Sequence, residues 1–315
     1  MNNKTLIVGG AGFLGNALSM GLVQEGIAVV IADSRRRLEN YAIKQPSAEY
    51  IEADWPNLPD LGKLSQIDNV IHLSWSTNPS SSMSDIVDDA ENNIIGTLRL
   101  LEQCRNIAPQ KFIFMSSGGT IYGNNSHPLI SEHCATNPIS AYGISKLSCE
   151  NYVKLYSLRQ RFKPLIVRLG NPYGSYQLQG TPTGVIANFI RKIDQNQPLE
   201  IYGDGETVRD YIHIDDVTAC IKKMIHSPAA SGLYNLGSGV GISVQKVIEL
   251  IKSRSNKDVD IIYHESRRND VRSVVLDIRK LNQELDFNPR TSISEGIDNM
   301  IQSINHQGAL GFSKS

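Results

Sequence analysis

An excess of either charge, paired cysteines and long apolar runs are all missing from this chain. Its 31 Lys and Arg against 32 Asp and Glu leave a formal net charge of -1 over 315 residues, which gives no reason to expect nucleic acid or an anionic membrane as partner. A small molecule is the expected partner. The four cysteines, Cys104, Cys134, Cys149 and Cys220, stand apart without a Cys-x-x-Cys pair. That argues against a disulfide framework and against zinc, so no metal is expected and the thiols read as reduced and cytoplasmic. No stretch reaches the length of a membrane span. Met1-Asn-Asn-Lys4 runs straight into a strand-like Leu6-Ile-Val8 with no small-residue cleavage site, so no signal peptide is expected. Repeats and low-complexity segments are also missing.

What is present is a globular composition, 40% hydrophobic and 20% charged, long enough for a core divided between two lobes. Short apolar runs at Thr5 to Val8, Ala28 to Ala32, Tyr50 to Glu52, Asn69 to Leu73, Lys111 to Ser116 and Pro164 to Leu169 read as strands. Helical patterns lie between them, including Gly12 to Gln24, Glu91 to Arg105 and Ala141 to Arg161. Val- and Ile-rich strands alternating with helices predict an α/β fold, a doubly wound parallel sheet of the Rossmann type. After Leu169 the texture changes to Gly-Asn-Pro-Tyr-Gly and a polar stretch near Gly180 to Gly184. Residues 1–170 are therefore assigned to a first, Rossmann-type domain and 171–315 to a smaller mixed α/β lobe, with about 210–226 expected to return to the first sheet.

The run Gly9-Gly10-Ala11-Gly12-Phe13-Leu14-Gly15 falls between the first strand and the first helix. Glycines at Gly9, Gly12 and Gly15 permit a tight turn, close approach to a pyrophosphate and close helix packing, and the helix N-terminus faces the phosphates. About 20 residues on, Asp33 ends the second strand, placed for an adenosine ribose diol. A carboxylate there repels a 2'-phosphate, so NAD is the expected cofactor, although Arg35, Arg36 and Arg37 follow at once and could clamp that phosphate. Asp54, just past the third strand, reads equally as an adenine contact or a loop carboxylate. Leu73, closing the fourth strand, is assigned to the cofactor site as well. The loop Ser74-Trp75-Ser76-Thr77-Asn78-Pro79 could face sugar or cofactor, with Trp75 as readily packing as stacking.

Tyr142 and Lys146 are four residues apart on a helical pattern, which puts a phenol and an ammonium on one face. A phenol titrates near 10 and is a poor base at neutral pH, whereas a fixed cation favours the phenolate. Lowering it to about 7 takes roughly 4 kcal/mol, which a lysine and a positively charged nicotinamide together could supply.

The ordering of these segments, with Ser116-Ser117-Gly118-Gly119-Thr120-Ile121-Tyr122-Gly123, Asn93 in Asn-Asn-Ile-Ile-Gly-Thr, Arg168-Leu-Gly-Asn171-Pro-Tyr-Gly and Tyr202-Gly-Asp-Gly-Glu-Thr-Val-Arg209-Asp-Tyr, resembles the extended short-chain dehydrogenase/reductases. Within them it is most similar to the UDP-galactose (UDP-glucose) 4-epimerase group, from about Leu6 to Gly296. The resemblance implies NAD in the first lobe, touched by Asn93, and a nucleoside-diphosphate sugar between the lobes, a UDP-sugar first. Tyr142 would take the sugar 4-hydroxyl proton and Lys146 would hold the nicotinamide ribose. Asn171, Tyr202, Arg209, Arg267 and Asp270 would bind the substrate, the arginines at its phosphates and Asp270 at its ribose. A homodimer through the helices carrying Glu91 and Tyr142 is implied too.

One departure stands out. The resemblance implies Ser or Thr at the position of Gly118, so Ser117, Thr120 or a water stands in for the hydroxyl that would assist Tyr142, or the enzyme is slower or specialised for another reaction. Dehydrating relatives carry acids at the next two positions, here Gly119 and Thr120, so elimination is disfavoured. What remains is C4 epimerisation, with a 4-ketoreductase or dehydrogenase, or a non-catalytic dinucleotide sensor, as alternatives. Val274, where some hexose-restricted epimerases are bulky, is read as room for a 2-acetamido group.

Overall fold

The computed structural model describes residues 4–39, 48–64, 66–178, 184–255, 257–266 and 271–309, with side chains described through residue 304. Six strands precede Gly170: β1 (Lys4–Val8), β2 (Ala28–Asp33), β3 (Ala48–Glu52), β4 (Asn69–His72), β5 (Lys111–Ser117) and β6 (Lys163–Leu169). After it come β7 (Asn171–Tyr173), β8 (Leu199–Tyr202), β9 (Val208–His213), β10 (Gly232–Leu236), β11 (Gly241–Ser243), β12 (Ile261–His264) and β13 (Ser273–Val274). The helices of the first half are α1 (Phe13–Gln24), α2 (Arg35–Glu39), α3 (Ile86–Asp89), α4 (Gly96–Ile107), α5 (Gly118–Ile121) and α6 (Ala141–Gln160). Those of the second are α7 (Val185–Asp194), α8 (Ile214–His226), α9 (Val244–Ser255), α10 (Arg279–Leu285) and α11 (Ile293–Ala309).

Seven parallel strands make the main sheet in the order β10-β6-β5-β4-β1-β2-β3. The chain builds outward from β1 to β3, then returns to lay β4 on the other side of β1. The loops after β1 and β4 consequently part, opening the crevice where open α/β sheets hold their ligands. Alternation along the strands sends neighbouring side chains to opposite faces. Ile7, Ile31 and Ile113 pack with Leu18 and Leu22 of α1 and Val217 and Ile221 of α8. Leu6, Val30 and Phe112 pack with Leu100 of α4 and Val153 of α6. Burying each such side chain contributes roughly 1.5–3 kcal/mol, which is why both helix layers hold.

The stretch 210–226 divides between the lobes. Strand β9 pairs with β7, β11 and β13 in a second sheet, while α8 packs onto the first lobe, where a Cβ on Gly21 of α1 would sit 2.5 Å from Thr218 Cγ2. The segment that enters the main sheet is β10, paired along β6. The helix expected from Glu91 to Arg105 starts earlier, at α3, and passes through a π turn over Ala90–Ile95 before α4. A third apolar cluster, around Phe189, Ile201, Tyr211 and Ile248, fills the second lobe.

No helix among the described residues is long and apolar enough to cross a membrane. Cys104, Cys149 and Cys220 are buried, and all four cysteines are free thiols.

Candidate active site

The turn after β1 takes its shape from glycine. Gly9 sits at φ +85°, a conformation that strains any side chain, and a Cβ there would lie 2.6 Å from Ser74 N in the loop after β4. A Cβ on Gly15 would lie 2.5 Å from Gly10 Cα, so α1 begins hard against the turn. Helix α1 starts at Phe13 with Gly12 as N-cap and no side-chain cap, and a helix N-terminus there favours a pyrophosphate. The side chains of Phe13 and Leu14 pack back onto the core, as does Leu73, whose amide donates to Val8 O at 2.8 Å.

Asp33 is 7% exposed, its carboxylate accepting from the Ala11 amide at 2.9 Å and the Ser34 amide at 2.8 Å. Burial raises its pKa, with the Ser34 amide, Arg37 and the Ala11 amide pulling the other way. The remaining lone pairs of this braced carboxylate suit a ribose diol. Of the arginines that follow, Arg35 pairs with Glu39 at 2.9 Å, and Arg37 reaches the glycine turn, its Nη1 3.3 Å from where a Cβ on Gly12 would be. These residues fit NAD. Asp54 lies exposed beyond β3, its carbonyl accepting from the Asn57 amide at 2.6 Å.

Asn93 departs from expectation. It lies fully buried in the π turn, its Oδ1 accepting from Ser76 N at 3.0 Å and Ser76 Oγ at 3.2 Å. Its Nδ2 donates to Asp89 Oδ1 at 3.0 Å and Thr77 Oγ1 at 3.2 Å. Both ends of the amide are thus used inside the protein, where Asn93 fixes the loop after β4.

Helix α6 is capped by Ser140, whose Oγ accepts from the Gly143 amide at 3.2 Å. Two further contacts set its first turn: the Tyr142 amide donates to Ser82 Oγ at 3.0 Å and the Ala141 amide to Met83 Sδ at 3.4 Å. Tyr142 and Lys146 share a face, but Lys146 Nζ donates to Met115 O at 2.8 Å and sits 3.6 Å from the centre of the Trp75 ring. It is 5.6 Å from the Tyr142 ring centre. Burial takes Lys146 down to about 7, although Cys149, Asp89 and Glu150 act to raise it. Burial likewise pushes the Tyr142 phenol up to about 12, opposed by the Ser117 hydroxyl and reinforced by Asp89. The expected lowering of the phenol by Lys146 is therefore not achieved by the chain's own groups, because desolvation outweighs an ammonium engaged with an indole and a carbonyl. A bound oxidised nicotinamide supplies a further positive charge and the hydride acceptor.

Counting along the chain assigned the missing hydroxyl to Gly118. A Cβ on Gly118 would run into Leu276 Cδ1 at 2.6 Å and Arg168 O at 3.2 Å, in a packed cluster with Tyr122, Ile130 and Val274. The hydroxyl on the Tyr142 side is Ser117, one residue earlier. Gly119 opens onto the same space, since a Cβ there would lie 3.6 Å from Asn171 Oδ1 and 4.0 Å from Ser117 Oγ. Thr120 Oγ1 is buried with no hydrogen-bond partner among the described residues.

Asn171 also lines a cavity of about 450 Å3 in the second lobe, along with Asn188, Phe189, Lys192, Tyr202 and Arg209. Arg209 is steered by its own neighbours, its Nη1 donating to Val208 O at 2.9 Å and Val271 O at 2.6 Å. Tyr202 stacks on His264 with ring centres 5.1 Å apart. Asn171 is the lining residue that adjoins the segment after β5, its Oδ1 lying 3.6 Å from where a Cβ on Gly119 would be. Arg267 and Asp270 lie outside the described residues, and Val274, 2% exposed, packs in the core rather than lining the cavity. Sequence reasoning missed Ser82, Met83, Asp89 and Ser145, which hold the catalytic helix without belonging to a recognisable motif. The spacing of Asp89 four residues before Asn93 was the available signal.

Residues 5–237 match the model of the NAD dependent epimerase/dehydratase family. A dTDP-4-dehydro-6-deoxyglucose reductase of Escherichia coli is 32% identical over 96% of this chain and 98% of its own length. A putative UDP-glucose 4-epimerase of Methanocaldococcus jannaschii is also 32% identical, over 94% of this chain and 96% of its own. Among solved structures, a UDP-glucuronic acid 4-epimerase from Bacillus cereus, in complex with UDP-glucuronic acid and NAD, superposes with a TM-score of 0.88 at 28% identity, covering 96% and 99% of the two chains. The glycine turn, the braced Asp33 and the Tyr142–Lys146 helix thus belong to an enzyme of the NAD dependent epimerase/dehydratase family, with NAD as its cofactor.

Proposed function

We propose that the chain epimerises a nucleoside-diphosphate sugar at C4, a UDP-sugar first, through a 4-keto intermediate. The observation that carries this reading is the chemistry around Tyr142. Ser117 acts on the phenol, Asn171 Oδ1 and Ser117 Oγ lie 3.6 Å and 4.0 Å from where a Cβ on Gly119 would be, and glycine stands where a second acid would be needed. Among the described residues, Asp89 is the charged group whose field acts on the phenol, and its oxygens are taken by Ser145, Thr77 and Asn93. Elimination requires a base and an acid acting together. One proton-transfer group suffices for oxidation at C4 and its reversal.

In this reading Tyr142 takes the proton of the C4 hydroxyl and returns it, and Ser117 donates to the oxygen that carries the charge. Lys146 keeps the phenol and the nicotinamide ribose in place. Arg209 and Asn171 meet the diphosphate, and Tyr202 and Asn188 meet the nucleoside. The proposed assembly is a homodimer, supported by the exposed apolar side chains Ile86, Val87, Ile95, Ile144, Leu155 and Leu158 on α3, the π turn and α6.

A 4-ketoreductase is the second reading, favoured by the 32% identical Escherichia coli reductase. Incubating the purified protein with UDP-, dTDP- and GDP-sugars separates the two. Interconversion of C4 epimers without added cofactor supports the epimerase. Turnover of a 4-keto sugar only with stoichiometric NADH or NADPH overturns it in favour of the reductase.

A further inference from the structure

Asp89 is a carboxylate with no exposure to solvent, in a position that no step above uses. Placing a carboxylate wholly out of water is costly unless every lone pair finds a donor and a cation lies near. Here the donors come from three separate segments. Ser145 Oγ donates to Oδ2 at 2.5 Å, Asn93 Nδ2 donates to Oδ1 at 3.0 Å, and Thr77 Oγ1 donates to Oδ1.

Those segments are the ones that carry the reacting groups. Ser145 lies on α6 between Tyr142 and Lys146. Thr77 lies two residues past Trp75, whose indole supports the Lys146 ammonium at 3.6 Å and meets the Tyr142 ring edge-on at 5.8 Å. Asn93 belongs to the π turn, a wide turn that in helices recurs at functional sites. Asp89 therefore ties the helix behind the phenol and lysine to the loop in front of them.

We propose that Asp89 is a positioning residue for the Tyr142–Lys146 pair, tying α6 through Ser145 to the Trp75 loop through Thr77 and placing a buried carboxylate near the Lys146 ammonium. The groups facing Lys146 are Asp89 from α3, Cys149, Glu150 and Tyr142 from its own helix, and His72 from β4. Glu150 is already paired with Arg168 at 2.7 Å, and burial holds the His72 imidazole well below its ordinary value. Asp89 is the anion in this set that no cation side chain already holds by a salt bridge.

The proposal takes Tyr142 as the proton-transfer group of the function above, but its first test needs no substrate. The chain has two tryptophans, so Trp55→Phe leaves Trp75 as the only indole. Its emission is followed from pH 5 to pH 9.5. A transition that Lys146→Met abolishes reports the ammonium, and Asp89→Asn is expected to lower its midpoint by about one pH unit. A folded Asp89→Asn protein with an unmoved midpoint overturns the proposal. Should Asp89→Asn not fold, Ser145→Ala decides on turnover: kcat falls roughly tenfold at unchanged KM and Ser145→Thr restores it, whereas an unchanged kcat overturns the proposal. Absence of turnover by the unaltered enzyme on every sugar would count against the proposed function while the emission test still stands.

Discussion

The Ser117 hydroxyl acts on the Tyr142 phenol to lower its pKa, while the neighbouring Gly118 directs its missing Cβ at Leu276. Strand β5 ends at Ser117 and α5 begins at Gly118, so the chain turns between them and adjacent residues come to face different parts of the protein. The Ser117 hydroxyl therefore acts on the phenol even though the next position, where the hydroxyl was expected, is glycine.

That relationship sets the first prediction. Ser117→Ala should lower kcat roughly 10- to 1000-fold, the range for losing one preorganised donor at a developing oxyanion, with NAD still bound. Gly118→Ser should not compensate. Its Cβ would meet buried Leu276 at 2.6 Å, and overpacking of this kind costs about 1–3 kcal/mol, seen as a lower Tm. Gly118→Ser with raised activity and unchanged Tm would show that the hydroxyl belongs at 118 after all.

Lys146 gives a pH-dependent stability prediction. Its value is about 7 in the fold against an ordinary 10.5, so between those pH values the unfolded chain binds the extra proton and stability rises with pH. The penalty of burying the ammonium is full below pH 7, begins to lift as pH rises through the folded value, and is gone above about 10.5. Lys146→Met should therefore abolish turnover yet raise Tm at pH 6, with the gain over the unaltered protein shrinking toward pH 10. Paired thermal melts across that range check it. A difference that stays constant with pH would mean that Lys146 is not destabilised by burial.

The glycine turn predicts separable losses. Gly15→Ala places a methyl group 2.5 Å from Gly10 Cα, so α1 must shift away from the turn. NAD affinity should fall at least tenfold by calorimetry. Asp33→Asn keeps the shape but removes the charge that receives the Ala11 and Ser34 amides. It should narrow the preference for NAD over NADP, because a 2'-phosphate no longer meets a carboxylate. An unaltered preference would assign that discrimination elsewhere, with Arg37 the next residue to test.

Much of this was legible in the sequence because it depends on local pattern. The glycine turn needs residues without Cβ at fixed offsets, and Tyr142 and Lys146 need only a helix to align them. Strand β10 escaped because Gly232–Leu236 is short and becomes a strand only by pairing along β6, a contact made across more than sixty residues. The side of the strand on which Gly118 lies depends on where β5 gives way to α5, which residue counting does not reveal. The internal role of Asn93 shows only once the π turn and the Ser76–Thr77 loop are seen to bond its amide. The position of the Lys146 ammonium follows from Trp75, a residue whose packing and stacking roles look alike in one dimension.

The proposed dimer makes the last prediction. Leu158 is 83% exposed on α6, with Leu155 and Ile144 on the same helix and Ile86 and Val87 on α3 also exposed. A monomer rarely leaves a large apolar patch in water, and a helical face of this kind is covered at small cost by a second copy of itself. Leu155→Glu combined with Leu158→Glu should convert the assembly to a monomer in sedimentation, because a symmetric interface meets each new charge twice. These residues lie on the far turns of α6 from Tyr142, so NAD binding should survive in the monomer while Tm falls and becomes independent of protein concentration. A double variant that still sediments as the unaltered protein does would place the interface on another face.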